Sequence, residues 1–222
     1  MHGQRRRLHP TLIAACLLFA SARAAAQEPP PGYIYAPVHD PGYHEHDGLF
    51  LRIALGAGWL GMSESTGVSE LNASGTGSGF GAAIGFAVTR KLIVFLDVSL
   101  LDTMHPEVTV NGAPTPRAGE DLTMWGYGPG IAYYFQPRNI FVSGAIALCK
   151  LDLHDDQANT VTATRRGIGL DVAAGKEWWV TTNWALGLAL QLQYARMTDR
   201  APDPSPVVSA RAISLLGTAT FN

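Results

Sequence analysis

Large apolar residues alternate with small or polar ones along most of this chain, and that period of two constrains its fold more than any other feature. In the stretch WALGLALQLQYA, from Trp184 to Ala195, every second residue is large and apolar, and the residues between are alanine, glycine or glutamine. Successive side chains of a β-strand point to opposite faces. The segment is therefore predicted to be a strand with one bulky apolar face.

Eight segments repeat this pattern after Gly48, each about as long as a tilted strand needs to cross a bilayer. They run over Leu49–Trp59, Phe80–Val88, Leu92–Leu101, Trp125–Phe135, Ile140–Cys149, Gly167–Trp178, Trp184–Ala195 and Ile213–Phe221. Four residues disturb the pattern. Phe50 is a bulky residue on the small face, and Phe141 and Gly144 blur the fifth segment. Pro129 predicts a bulge or a local break because proline has no backbone N–H to donate.

The connections between these segments alternate strictly in length. Long polar connections follow the first, third, fifth and seventh segments, at 62–77, 103–120, 152–165 and 198–206, whereas tight turns at 89–91, 136–139 and 181–183 follow the others. Long loops on one rim and short turns on the other are typical of outer-membrane barrels. The sequence predicts an all-β fold, an eight-stranded antiparallel up-and-down transmembrane β-barrel with both ends on the short-turn, periplasmic side.

The composition of the small face decides between a soluble and a membrane barrel. A soluble barrel shows water a polar outer face and packs its large apolar residues inward. Here the small face is mainly glycine and alanine, which suits a narrow lumen, so the large apolar face is predicted to contact lipid. The polar residues on the small face are predicted to form a lumen network: Arg52, Asp97, Asp171, Glu177, Gln191 and Gln193.

Buried charges need partners, so we expect Arg52 to compensate Asp97 and Asp171. The network is interpreted as a set of side chains that plugs and stabilises the barrel, and a gated polar pathway for a small solute is the alternative. Aromatic residues beside the short turns are expected to form an interfacial girdle. They are Tyr133, Phe135, Trp178 and Trp184, with Trp179 as a further candidate.

The N-terminal region differs sharply from the rest of the chain. Residues 1–26 join an arginine-rich start, a short apolar run and small residues ending in Ala26, which predicts a cleaved secretory signal peptide. Residues 27–47 are rich in proline and histidine and are interpreted as a periplasmic lead, whose metal-binding capacity the pattern leaves open. Residues 48–222 are the barrel domain. Without the signal peptide, 12 Lys+Arg stand against 18 Asp+Glu, which argues against nucleic acid as a partner.

The barrel region resembles the small eight-stranded outer-membrane families, namely the OmpA transmembrane domain, OmpX and the OmpW-like group. The stretches GPGIAYYFQPRNIFVSGAIA (128–147) and GKEWWVTTNW (175–184) carry this resemblance. It implies an integral protein of the outer membrane that contacts lipid and lipopolysaccharide. It also implies recognition by the assembly machinery through a terminal aromatic residue, for which Phe221 stands one position early.

Motifs for chemistry are scarce. The match of Gly56–Gly61 to G-x-G-x-x-G opens no helix, so we interpret it as fortuitous. His105 and His154 lie in or beside long loops without a strand-borne His-x-Ser pair. We therefore predict no catalytic, metal or cofactor site. The predicted function is a non-enzymatic barrel with a structural or loop-mediated binding role. The alternatives are an OmpW-like conduit for small solutes, including hydrophobic ones, and a lipid A-modifying enzyme.

Overall fold

The computed structural model describes residues 46, 48–65, 69–114, 121–154, 160–164, 166–198 and 206–222, with the side chains of 153–163 left out. The predicted signal peptide, 1–26, and the predicted lead, 27–47, lie outside the described residues apart from His46. No helix among the described residues is long and apolar enough to cross a membrane.

The described residues form eleven strands of one sheet. Their bounds are β1 Leu49–Ser65, β2 Glu70–Thr89, β3 Leu92–Met104, β4 Glu107–Val110, β5 Ala113–Pro114, β6 Asp121–Phe135, β7 Ile140–His154, β8 Thr160–Ala163, β9 Gly167–Trp179, β10 Trp184–Thr198 and β11 Val207–Phe221. Three of them, β4, β5 and β8, are short additions in the connections after β3 and β7.

The eight longer strands close into a barrel. Each pairs antiparallel with the next along the chain, and β1 pairs with both β2 and β11, so that no long strand keeps a free edge. The predicted eight-stranded up-and-down barrel is confirmed. We call the end with the turns at 90–91, 136–139 and 180–183 the turn end, and the opposite end the loop end.

The strand register fixes the tilt of the barrel. Starting at Ile53 on β1, residues paired across successive strands lead around the barrel and return to β1 at Ser63, ten residues nearer the loop end. Such a stagger requires strands tilted by about 35–45° to the barrel axis. The ten residues are spread over eight steps between paired positions. Following the pairing from β1 through β2 toward β11, each paired residue therefore lies nearer the loop end than the one before it, by the equivalent of about 1.25 residues.

The two faces of every strand differ in the way the alternation predicts. On β10, Leu190 on the outer face is 47% exposed and its neighbour Ala189 on the inner face is 4% exposed. Large apolar side chains cover the outside of the whole barrel, and water would solvate such a surface poorly. The exterior is therefore suited to hydrocarbon. Phe50, the sequence exception, is fully buried inside.

Pro129 interrupts the ladder between β6 and β7, as predicted. Paired positions stop at Tyr127 opposite Leu148 and resume at Gly130 opposite Ala145. The register is the same on both sides of the gap, so the structure has a local break and no bulge.

Aromatic side chains form two belts on the outer face. The turn-end belt contains Tyr133, Phe135, Trp178 and Trp184, each 43–50% exposed, and Phe221 packs on Trp184 with ring centroids 5.4 Å apart. A second belt at the loop end, which the sequence did not single out, contains Trp59, Trp125 and Tyr194. With the stagger included, the belts lie about nine to ten residues apart, or about 24 Å along the axis. That distance matches the apolar band of outer-membrane barrels, about 25 Å.

Trp179 does not belong to either belt. Its ring lies 5.4 Å from the ring of His46, which is buried. Its membership in the girdle, considered from the sequence, is wrong because Trp179 follows Trp178 and so points to the other face of the strand.

Leu190 lies midway between the two belts, so an arginine there would place a charge at the centre of the apolar band. We expect Leu190→Arg to lower the free energy of unfolding by about 2–4 kcal/mol in lipid vesicles, because hydrocarbon cannot solvate the guanidinium. Gln191→Arg, one residue further along but facing the lumen carboxylates, is the matched control and should cost much less. Equal destabilisation of the two variants in a denaturant titration would mean that the faces are reversed.

Candidate functional site

A buried ion pair lies inside the barrel near its turn end. The Arg52 guanidinium on β1 lies 3.1 Å from Oε1 of Glu177 on β9, and their side chains are 10% and 0% exposed. Arg52 also donates hydrogen bonds to the hydroxyls of Tyr134 and Thr220. The pair therefore ties together strands on opposite sides of the lumen.

The surroundings of this pair satisfy both charges. Glu177 accepts hydrogen bonds from the hydroxyls of Thr220 at 2.7 Å and Tyr134 at 3.1 Å. The guanidinium carbon of Arg52 lies 4.0 Å from the ring centroid of Phe141, a distance at which a cation is attracted to an aromatic face. Such hydrogen bonds and ring contacts offset the cost of burying two charges.

A second polar layer lies nearer the loop end. Asp171 on β9 accepts hydrogen bonds from the amides of Gln191 at 2.6 Å and Gln193 at 2.8 Å. The Gln193 amide also donates to Ser99 at 2.9 Å. The layer links β9, β10 and β3 across the lumen.

The expected compensation of Asp97 and Asp171 by Arg52 is corrected in part. The ion-pair partner of Arg52 is Glu177, whereas Asp97 lines the same cavity as Arg52 and attracts its charge without an ion-pair contact. Period two assigns a residue to a face but does not give its height along the barrel. With the stagger included, Asp171 lies about four residues nearer the loop end than Arg52. All six predicted network residues point inward: five lie in the two layers, and Asp97 lines the cavity between them.

A cavity of about 50 Å³ separates the layers. Arg52, Asp97, Asp171 and Gln191 line it together with Phe95 and Phe141. A water molecule needs roughly 10–15 Å³ of such volume and two to four polar partners, so the cavity is large enough for a few waters. One cation, Arg52, and two carboxylates, Asp97 and Asp171, therefore face the same small cavity.

Apolar side chains fill the lumen at both ends. The larger cluster, toward the loop end, includes Leu60, Met62, Leu101, Leu122, Met124, Leu151, Met197 and Val208, all at most 7% exposed. The smaller cluster, at the turn end, includes Phe50, Ile93, Phe95, Tyr134 and Phe141. The sequence did not predict these clusters, although Phe50 and Phe141 were the bulky exceptions that could have indicated one of them.

His46 lies against the turn-end cluster. Its ring centroid is 3.8 Å from that of Tyr134, and its Nε2 lies 3.0 Å from Oδ1 of Asn139. The other potential metal donors of the histidine-rich lead lie outside the described residues. Among the described residues, no group of three metal-ligating side chains occurs.

The remaining sequence candidates lie apart from the lumen layers. His105 is exposed in the connection after β3, with φ of 53°, and the side chain of His154 is not among those described. Gly56–Gly61 lies within β1 and is followed by more strand.

Removing one member of the buried pair should be costly. We expect Arg52→Met and Glu177→Gln each to lower the free energy of unfolding by about 3–5 kcal/mol, because each leaves a buried partner unpaired. The double variant should lose clearly less than the sum of the two, as a double-mutant cycle in lipid vesicles would measure.

The pair Lys150 and Asp152 on the outer face, with nitrogen and oxygen 2.7 Å apart and side chains 37% and 9% exposed, is the comparison. Lys150→Met should cost less than either lumen variant, because the lysine side chain is partly exposed whereas both side chains of the lumen pair are almost fully buried. If the Arg52 and Glu177 variants cost no more than this comparison variant, the lumen pair does not hold the barrel together.

Comparison with known proteins places the fold. No protein-family profile matches the chain, and no curated protein matches it. Among solved structures, Neisserial surface protein A has a TM-score of 0.56 at 16% identity, covering 78% of this chain and 96% of that one. OprG from Pseudomonas aeruginosa has a TM-score of 0.52 at 12% identity, covering 81% of this chain and 99% of that one. The outer membrane protease OmpT from Escherichia coli has a TM-score of 0.50 at 9% identity, covering 79% of this chain and 97% of that one. The chain shares the fold of outer-membrane β-barrels.

Proposed function

We propose that the chain is a non-enzymatic integral protein of the outer membrane, with a plugged lumen and a structural or binding role carried by its loop end. One observation carries this proposal. Two apolar clusters fill the lumen, and the polar cavity between them measures only about 50 Å³. A continuous water path would require both clusters to move. Export through a cleaved signal peptide and contact with lipopolysaccharide belong to the same proposal.

The form of the loop end supports a binding role. Strands β1 and β2 remain paired as far as Ser65 opposite Glu70, six residues beyond Trp59 of the loop-end belt. This hairpin therefore projects about 15 Å past the belt. Because it is hydrogen-bonded throughout, it presents a firm surface to a partner.

The connection after β3 extends this surface. Strand β4 pairs with β2, and β5 pairs with β4 across the turn Asn111-Gly112, where both residues have positive φ as a two-residue hairpin turn requires. The side chain of Asn111 accepts a hydrogen bond from the backbone N–H of Glu70 at 2.9 Å. Strands β4 and β5 of the long connection thus add a third and a fourth strand to the projecting part of the sheet.

We expect the purified barrel to give no steady single-channel current in a planar bilayer, because side chains block the lumen. Insertion is checked separately by flotation with lipid vesicles and by a β-sheet circular dichroism spectrum. Large, stepwise currents from the wild type would contradict the plugged lumen.

A second candidate, a conduit for apolar solutes, is favoured by one groove. It measures about 930 Å³ on the outer face beside Pro129. Three residues, Phe95, Gly144 and Ala145, line both this groove and the lumen cavity. The Phe95 ring therefore lies between the lipid side and the interior.

Cells that express size variants at Phe95 distinguish the two functions. With a plugged barrel, entry of the apolar dye N-phenyl-1-naphthylamine should be the same for the wild type, Phe95→Ala and Phe95→Trp. A conduit would instead admit the dye faster in Phe95→Ala and more slowly in Phe95→Trp, and that order would favour the second candidate.

A further inference from the structure

The outer face of the barrel carries four basic side chains at its loop end. Lys150 on β7, Arg166 directly before β9, Arg196 on β10 and Arg211 on β11 all occupy outward positions. We call them the basic band. Their strands are consecutive in the barrel, so the band covers one side of it.

The register and the stagger bring the four side chains to one level. Cys149 pairs with Gly167, so Lys150 and Arg166 occupy the next pair of positions on neighbouring strands. Arg196 pairs with Ile168, two residues on from Arg166, and Arg211 pairs with Tyr194, two residues before Arg196. These offsets along the strands largely cancel the rise of about 1.25 residues from each strand to the next. The four residues of the band therefore lie within about 4 Å of one height along the barrel axis.

The level of the band is that of a membrane surface. On the same scale, Trp59, Trp125 and Tyr194 of the loop-end belt lie about one to two residues nearer the membrane centre than the band. Aromatic belts mark the boundary between hydrocarbon and lipid headgroups. The basic band therefore lies at headgroup height, where anionic lipid groups attract arginine and lysine.

Most of this charge is free to bind an anion. Lys150 is paired with Asp152 at 2.7 Å. For Arg166, Arg196 and Arg211, no carboxylate within the described part of the chain lies at ion-pair distance. On the other side of the barrel, the outward residues at this level are uncharged or acidic, with Asp102 on β3 as the acidic one. The charge is therefore directed to one side.

A polar groove adjoins the band. It measures about 400 Å³, and its lining includes Arg211, Trp59, Ser63, Asn72, Ser74 and Ser209. In such a groove the arginine can pair with a phosphate, the hydroxyl and amide groups can hydrogen-bond to a sugar, and the indole can pack against that sugar. These groups fit the headgroup of a phosphorylated glycolipid better than that of a simple phospholipid.

We propose that the basic band and the groove at Arg211 bind the phosphorylated sugar headgroup of a glycolipid in the membrane leaflet on the loop side. This site rests on the proposed function, since it requires the barrel to be inserted with its loop end in a leaflet that contains such a lipid. It adds to that function a fixed binding position on one side of the barrel.

Unfolding in vesicles tests the site. The barrel is reconstituted in phosphatidylcholine with increasing fractions of diphosphoryl lipid A, and its unfolding temperature is followed. We expect lipid A to raise this temperature more than phosphatidylglycerol at matched phosphate charge. In the variant Arg166→Gln/Arg196→Gln/Arg211→Gln, the lipid A fraction for half-maximal effect should rise on the order of 100-fold.

The control replaces cations at the turn end, Lys91→Gln/Arg138→Gln, and should respond to lipid A as the wild type does. Both variants should unfold like the wild type in phosphatidylcholine alone, which separates lost binding from lost folding. A triple variant that keeps the full response would overturn the proposal, and so would a wild type that responds equally to phosphatidylglycerol. Single-channel currents test the plugged lumen separately, and failure to insert into phosphatidylcholine would instead count against the membrane barrel itself.

Discussion

Closure of the backbone hydrogen-bond network is the constraint on which the rest of this structure depends. Hydrocarbon offers no partner for an unpaired N–H or C=O, so a sheet can cross a membrane only if its first and last strands pair. Here β1 and β11 are in register from Leu51 opposite Phe221 to Ser65 opposite Val207. That seam fixes a stagger of ten residues, and the stagger determines the width of the lumen and the height of every side chain.

The lumen follows from this geometry. Eight strands leave an interior that side chains can fill, and glycine and alanine on much of the inner face leave room for a few large ones. Arg52 meets Glu177 because the stagger brings them within about two residues of each other in height, and Phe50, Tyr134 and Phe141 fill the space around them. The ion pair is enclosed by apolar groups, so its stabilising effect depends on both charges being present.

The sequence was sufficient for the existence of the eight long strands, their order and their faces, because alternation and connection length act locally. It did not predict that β1 and β2 continue through most of 62–77, which was expected to be a polar connection, because the apolar alternation ends before the strand pairing does. The sequence could not predict the height of each residue along the barrel axis, because that height depends on the strand register, and the register is fixed only when β1 pairs with β11. For this reason the sequence correctly placed Arg52 and Glu177 on the inner face but did not predict that they form the ion pair. Pro129 was predicted to interrupt the ladder because its missing N–H is a local property. The basic band was missed for the same reason as the ion pair, as its members lie far apart in sequence and meet only through the stagger.

The seam also has a consequence for how the barrel folds. Seven of the eight strand interfaces join long strands that follow one another in the chain, so each can form between neighbouring segments with a smaller loop to close than the seam. The interface of β1 with β11 joins residues near the two ends of the barrel domain and has by far the largest sequence separation. Contacts of high contact order form slowly, because the loop entropy is lost before the contact stabilises anything. The barrel is therefore expected to persist as an open, curved sheet during insertion, with β1 and β11 as its two exposed edges until the last step.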